Sequence, residues 1–267
     1  MMKRKHKRIK HETVTAYLMI APEVILMALF IFVPILYALY ISLFDWNAFG
    51  TKIFTGISNY LNVLRDSTFW DSLLITGKYA GIYVIAVYLL SLGAAVFVHS
   101  IRGNKRQQAV RIAIYLPNTI STIVAATLWT FLFNSRNGYI NKILEELGIS
   151  RQLFLGSKTQ ALVCVAIVGI WIVFGYNMII FLSALKDVPA DYYEAAKIDG
   201  ANAVQRFFKI TFPLVKGTSI FILITTVISS FQVFDQIRVM TAGGPAKSTE
   251  VTVYYVYQLA FEQYRFG

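Results

Sequence analysis

Five apolar runs, at roughly 16–44, 72–101, 109–133, 160–185 and 214–234, divide the sequence and decide its class. A helix needs about 20 mostly apolar residues to cross the hydrocarbon core, and each run is long enough. Inside lipid a lone segment satisfies its backbone only as a helix. The expectation is therefore an all-α membrane protein with about five transmembrane helices. The balance of 57% hydrophobic to 15% charged residues agrees, since soluble domains hold about 45–50% and about 25%.

The formal charge of +11 does not indicate nucleic acid, because the basic residues avoid the apolar runs and gather between them. Lys3, Arg4, Lys5, Lys7, Arg8 and Lys10 open the chain. Arg102, Lys105, Arg106 and Arg111 follow the second run, and Lys186, Lys197, Arg206, Lys209 and Lys216 border the stretch before the fifth. Lysine and arginine mark inner loops, so the N-terminus is cytoplasmic. The basic tail 1–15 and the loop 186–213 then lie inside, and segments 45–71, 134–159 and 235–267 lie outside. The first run is too long, and its end too bulky, for a cleaved signal peptide.

Within the runs the ionisable groups are Glu23 and Lys78, both close enough to an interface to snorkel. No zinc-protease, nucleophile-elbow or phosphate-loop motif is present, so the chain is read as non-catalytic, without metal or cofactor. Cys164, the single cysteine, is a packing residue. The uncharged polar groups are more telling: Asn118, Thr119, Ser121 and Thr122; Tyr176 and Asn177; Thr225, Thr226, Ser229, Ser230 and Gln232. Such groups either bond helix to helix or line a path for a polar, uncharged solute. Thr226, Ser229 and Ser230 are spaced to share a helical face.

Local signals fill in the connections. Pro34 predicts a kink, and Pro117 a helix start or bend. The stretch 138–149 has apolar residues at helical spacing and a Gly148 cap, which predicts a short amphipathic helix outside. Ser248 or Thr249 is expected to cap a later helix bearing Tyr254, Tyr255, Tyr257 and Phe261. In the inner loop, Asp191 and Glu194 suggest a capping box after Pro189, and Gly200 a left-handed stop. A second short helix follows through Phe207 and Phe208, with Pro213 opening the fifth span. Ala195, Ala196 and Gly200 leave a surface of little bulk, suited to another protein's groove or to resting on lipid.

Glu194-Ala195-Ala196, three residues, Gly200, nine residues and Ile210-Thr211-Phe212-Pro213 resemble the EAA loop of ABC importer permeases, with Phe212 where leucine is usual. "KIDGA", "GYINKILEELGI" and "TAGGP…ST…YYVYQLAF" are similar to the maltose-type branch, which handles oligosaccharides and glycerol phosphate. The resemblance implies a type I importer half-pore over 16–267, whose family has a sixth span beyond the outer helix. It implies that Glu194, Ala195, Ala196, Asp199, Gly200, Ile210 and Pro213 engage a cytoplasmic ATPase. The implied partners are a second permease subunit, an ATPase dimer holding ATP and Mg, an extracytoplasmic substrate-binding protein and membrane lipid, with no nucleic acid. The implied location is a bacterial or archaeal inner membrane. It points to Tyr176, Thr226, Ser229 and Ser230 as solute contacts. A permease for another solute, or a scaffold that recruits an ATPase, are the alternatives.

Overall fold

The computed structural model describes residues 2–47 and 49–267, with side chains from Thr13 onward. The basic side chains Lys3 to Lys10 lie outside the described residues. The chain divides into two units, one formed by residues 1–66 with Gln258–Gly267, the other by Ser67–Tyr257.

The first unit begins with α1 (Met2–Met27), a wide π turn (Ala28–Phe32) and α2 (Val33–Ile41), and Thr13–Ile41 is long and apolar enough to span. A kink is expected at Pro34; what precedes the proline is that π turn, and Thr13–Ile41 runs on as one span. Proline removes an N–H and crowds the carbonyl four residues back, and the wide turn ends two residues before it. Beyond the span, β1 (Phe44–Asp45) and β2 (Ile53–Phe54) pair antiparallel, Phe44 facing Phe54, ahead of α3 (Ser58–Arg65). Asn59 Nδ2 donates to the Ser42 and Phe44 carbonyls at 3.0 and 2.9 Å. The returning segment, which opens with a π turn (Gln258–Glu262), joins when Phe266 N–H donates to the Trp46 carbonyl at 3.1 Å.

The second unit is built on α4 (Ser67–Ser100) and α8 (Ala161–Lys186), both spans. In α4 the residues Ser72, Thr76, Tyr79, Tyr83, Val87, Ser91, Ala95 and Val98 are buried. Their spacing of three or four draws one stripe down the helix. The opposite face is as apolar, with Leu74, Ile85 and Leu89 exposed, because lipid, not water, meets it. Packing in lipid depends on close approach and polar bonds between helices. Gly169 of α8 sits against the stacked Tyr79 and Tyr83 rings, and Ser91 Oγ donates to the Phe174 carbonyl at 3.0 Å.

The third and fifth runs are not straight spans. The first of them folds as α5 (Asn104–Tyr115), a 3₁₀ turn (Leu116–Thr119) and α6 (Thr122–Leu132), bent by 95°. Pro117 lies in the turn, and Ile120 and Ser121 are extended, so the helical ladder stops there. Gly175 admits the bend, since a Cβ on it would run into the Ile114 carbonyl. The second pairs 203–214 with α12 (Lys216–Phe231), bent by 69°. Among the described residues, three helices are long and apolar enough to span, and up to five if each bent pair counts as one.

Between α6 and α8, α7 (Tyr139–Glu146) ends as expected. Gly148 has φ +74°, and the Gly148 and Ile149 amides return to Glu145 and Leu144, a Schellman closure. The buried Asn141, unremarked in the sequence, ties this helix down by donating to the Gln152 carbonyl and accepting from the Gln152 N–H, both at 2.9 Å. After α13 (Asp235–Met240), α14 (Thr252–Tyr257) starts later than expected. Thr249 caps no helix there; its hydroxyl donates to the Gly244 carbonyl at 2.8 Å and closes the preceding loop. The α14 cap comes from α4, where Thr76 Oγ1 accepts from the Thr252 N–H at 2.9 Å.

Candidate functional site: the inner loop and the helix cleft

The loop between α8 and α12 folds as the expected helix pair, α9 (Ala190–Ile198) and α10 (Ala203–Arg206), followed by a π turn (Phe207–Thr211) and a last helical turn, α11 (Phe212–Leu214). Pro189 occupies the cap position of α9 with no side-chain bond. The capping box expected of Asp191 and Glu194 does not form, because Asp191 already lies inside the first turn. There its charge favours the N-terminal end of the helix dipole. The box forms one helix later: Asn202 Oδ1 accepts from the Gln205 N–H, and Gln205 Oε1 from the Asn202 N–H, both at 2.9 Å.

Gly200 performs the predicted stop, with φ +75° and the Gly200 and Ala201 amides returning to Lys197 and Ala196. Tyr193 and Thr211 share a hydroxyl bond at 2.9 Å that fastens α9 to the end of the loop. Glu194, Ala195, Asp199, Gly200 and Pro213 are exposed, while Ala196 and Ile210 are half-buried. No atom outside its immediate chain neighbours lies within 4 Å of a Cβ built on Gly200. Ile198 stands 87% exposed beside it. The element is thus capped and cross-tied internally while one end, at Ile198 and Gly200, stays open.

The polar cluster of the fifth run separates. Thr226 and Ser230, four apart, are buried, and Ser229 is exposed. At about 100° per residue, Ser229 stands about 60° from Thr226 on the helix and turns out of the packed seam. Thr226 Oγ1 is buried without a hydrogen-bond partner. Ser229 lines a cleft of about 400 Å³ with Tyr79, Tyr83, Thr122, Gln232 and Asp235. Its hydroxyl donates to the Thr226 carbonyl at 3.0 Å. Tyr176 is half-exposed and not among the residues lining this cleft. So of the four expected solute contacts, Ser229 is in the cleft, two are packed away from it and one stands apart.

Residues 88–266 match the family described as binding-protein-dependent transport system inner membrane component. The chain belongs to this family. It is 35% identical over 255 residues to the sn-glycerol-3-phosphate transport system permease protein UgpA of Agrobacterium fabrum, covering 94% of this chain and 85% of that one. It is 29% identical to the probable starch degradation products permease AmyD of Thermoanaerobacterium thermosulfurigenes, covering 92% and 82%. The fold matches a crystal structure of a bacterial alginate ABC transporter in complex with an alginate pentasaccharide-bound periplasmic protein, with TM-score 0.83, 22% identity, and coverage of 97% and 87%.

As an ABC transporter permease the chain is a non-catalytic membrane component that works with a substrate-binding protein and an ATPase. For such a subunit, sequence reading missed the Asn202 box and the Tyr193–Thr211 tie. The first was visible as Asn-x-x-Gln, and the second joins residues 18 apart and left no local mark. Tyr79 and Tyr83 were also missed, since aromatics within an apolar run carry no periodic contrast.

Proposed function

We propose that this chain forms half of the pore of an ATP-driven importer in a bacterial or archaeal inner membrane, paired with a second permease subunit. Its solute is an oligosaccharide or a related polyol such as a glycerol phosphate. The observation that carries the reading is the exposed helix pair of residues 190–211, cross-tied internally and continuous with the bent fifth span. Glu194, Ala195, Ala196, Asp199, Gly200, Ile210 and Pro213 form the face that sits in a cleft of the ATPase. ATP and Mg are held by that partner, and closure of an ATPase dimer moves the loop.

The solute class is supported by the relatives for glycerol phosphate and starch products. It is also supported by a cleft of hydroxyl, amide and tyrosine groups with Asp235 as the one lining carboxylate. Carbohydrate needs hydrogen-bonding partners and an aromatic face. Ser229 and Tyr83 supply both here; Tyr176, half-exposed and outside this cleft, is assigned a separate solute contact.

Gly200→Asp and Glu194→Lys are expected to abolish uptake while the chain stays in the membrane, measured as solute transport alongside co-purification of the ATPase. Full uptake with full ATPase binding in either variant excludes the coupling role. Tyr176→Ala and Ser229→Ala are expected to lower uptake or change its selectivity. A sugar-blind complex that still transports another solute favours the non-sugar reading.

A further inference from the structure

A second cavity, of about 480 Å³, lies at the root of the inner loop. It is walled by the end of α4, the end of α8 and the loop itself. Three basic side chains line it, His99 from α4 and Lys197 and Arg206 from the loop, and no carboxylate does. Among the described residues none of the three makes an ion pair. Hydroxyls of Ser100, Tyr193 and Thr211 line the same space, and Val96, Leu185 and Phe207 give it an apolar wall. The hydroxyl protons are already committed, Ser100 to the Phe97 carbonyl, Thr211 to the Arg206 carbonyl and Tyr193 to Thr211, so recognition of a ligand here falls to the basic side chains.

Lys197 and Arg206 carry positive charge at neutral pH and face no carboxylate in this cavity, so an anion between them is favoured. Guanidinium and ammonium groups bind phosphate through charge-assisted hydrogen bonds. The volume falls within the usual range of small-ligand sites, about 300–1,000 Å³. We infer that this cavity binds a phosphate-bearing anion that pins the inner loop to the ends of α4 and α8. Because its walls belong to both the loop and the spans, a ligand held there favours one loop position by its differential affinity. The site is thus a regulatory input separate from the ATPase-facing surface. The phosphate comes either from a soluble phosphate compound or from an anionic lipid headgroup; both present the same group.

The test follows thermal unfolding of this chain within the assembled transporter in detergent. One arm raises inorganic phosphate against chloride at equal ionic strength. The other adds phosphatidylglycerol against phosphatidylcholine. Stabilisation by at least one of the two anions is expected, with apparent affinity lowered about tenfold by Lys197→Gln or Arg206→Gln, the loss of one charge-assisted contact. Lys209→Gln, on the same loop but outside the cavity, should leave it unchanged. A response to phosphate alone assigns a soluble ligand, and a response to phosphatidylglycerol alone assigns a headgroup. If Arg206→Gln fails to fold, the exposed Lys197 carries the comparison. No response to either anion overturns the site. So does a response that survives both substitutions, as one arising in the ATPase would, or one equally lost in Lys209→Gln. The readout is binding, so failure here leaves the import reading standing.

Discussion

At the residue scale, two glycines answer different demands. Gly200 is needed for its backbone, with φ +75° and open space around it. Gly175 is needed for its size, because a Cβ there would meet the Ile114 carbonyl, part of a backbone that cannot step aside. Gly200→Ala should therefore cost about 1 kcal/mol, the strain of a left-handed alanine, and Gly175→Ala about 3 kcal/mol through overpacking. Denaturation midpoints in detergent measure the difference, and equal losses would contradict it. Thr226 gives a second prediction. A buried hydroxyl without a partner keeps its desolvation cost, so Thr226→Val should leave stability unchanged or raise it by about 1 kcal/mol. If uptake falls while stability rises, Thr226 meets solute in another state of the transporter. Sequence spacing grouped Thr226, Ser229 and Ser230 because residues three and four apart are neighbours on a helix. Which neighbour turns inward is decided by where α4 lies, and that contact is long-range.

At the element scale, the helices were legible and their bends only partly so. All five apolar runs announced themselves by length, and Pro117 announced the break in the third. The 69° bend before α12 falls at Val215, two residues after Pro213; the proline signals a helix start but sets no angle. Two of the three π turns end two residues before a proline, at Pro34 and Pro213, so proline acts through the turn preceding it. The buried stripe of α4 was not legible, because a helix apolar on every side shows no contrast between its lipid face and its protein face. The Asp191–Glu194 pair misled for a local reason: Pro189 already held the cap position. Asn202→Ala should cost about 1 kcal/mol of local stability. Hydrogen exchange should then quicken across 203–211 and stay unchanged in α8. Uniform exchange across both would show that the box does not organise the loop.

At the scale of the whole molecule, the two units differ in what surrounds them. None of the described side chains of Thr13–Ile41 is buried by the chain, whereas more than half of the α8 window is. The unit Ser67–Tyr257 has its own core, running from Tyr79, Val165 and Ile237 down to Val98, Phe181 and Ile222. Removing residues 1–47 should leave the denaturation midpoint of that unit within about 2 °C, well under the shift that a loss of 1 kcal/mol gives. A fall of ten degrees would mean that the first span is part of its fold. The bend at Val215 has a mechanical consequence. The 16 residues of α12 make an arm about 24 Å long at 1.5 Å per residue. A rotation of about 10° at its foot carries the far end sideways by about 4 Å, wider than a water molecule. Ser229 rides near that far end, so a small tilt at the foot of the helix becomes a sideways shift of the cleft wall that Ser229 lines.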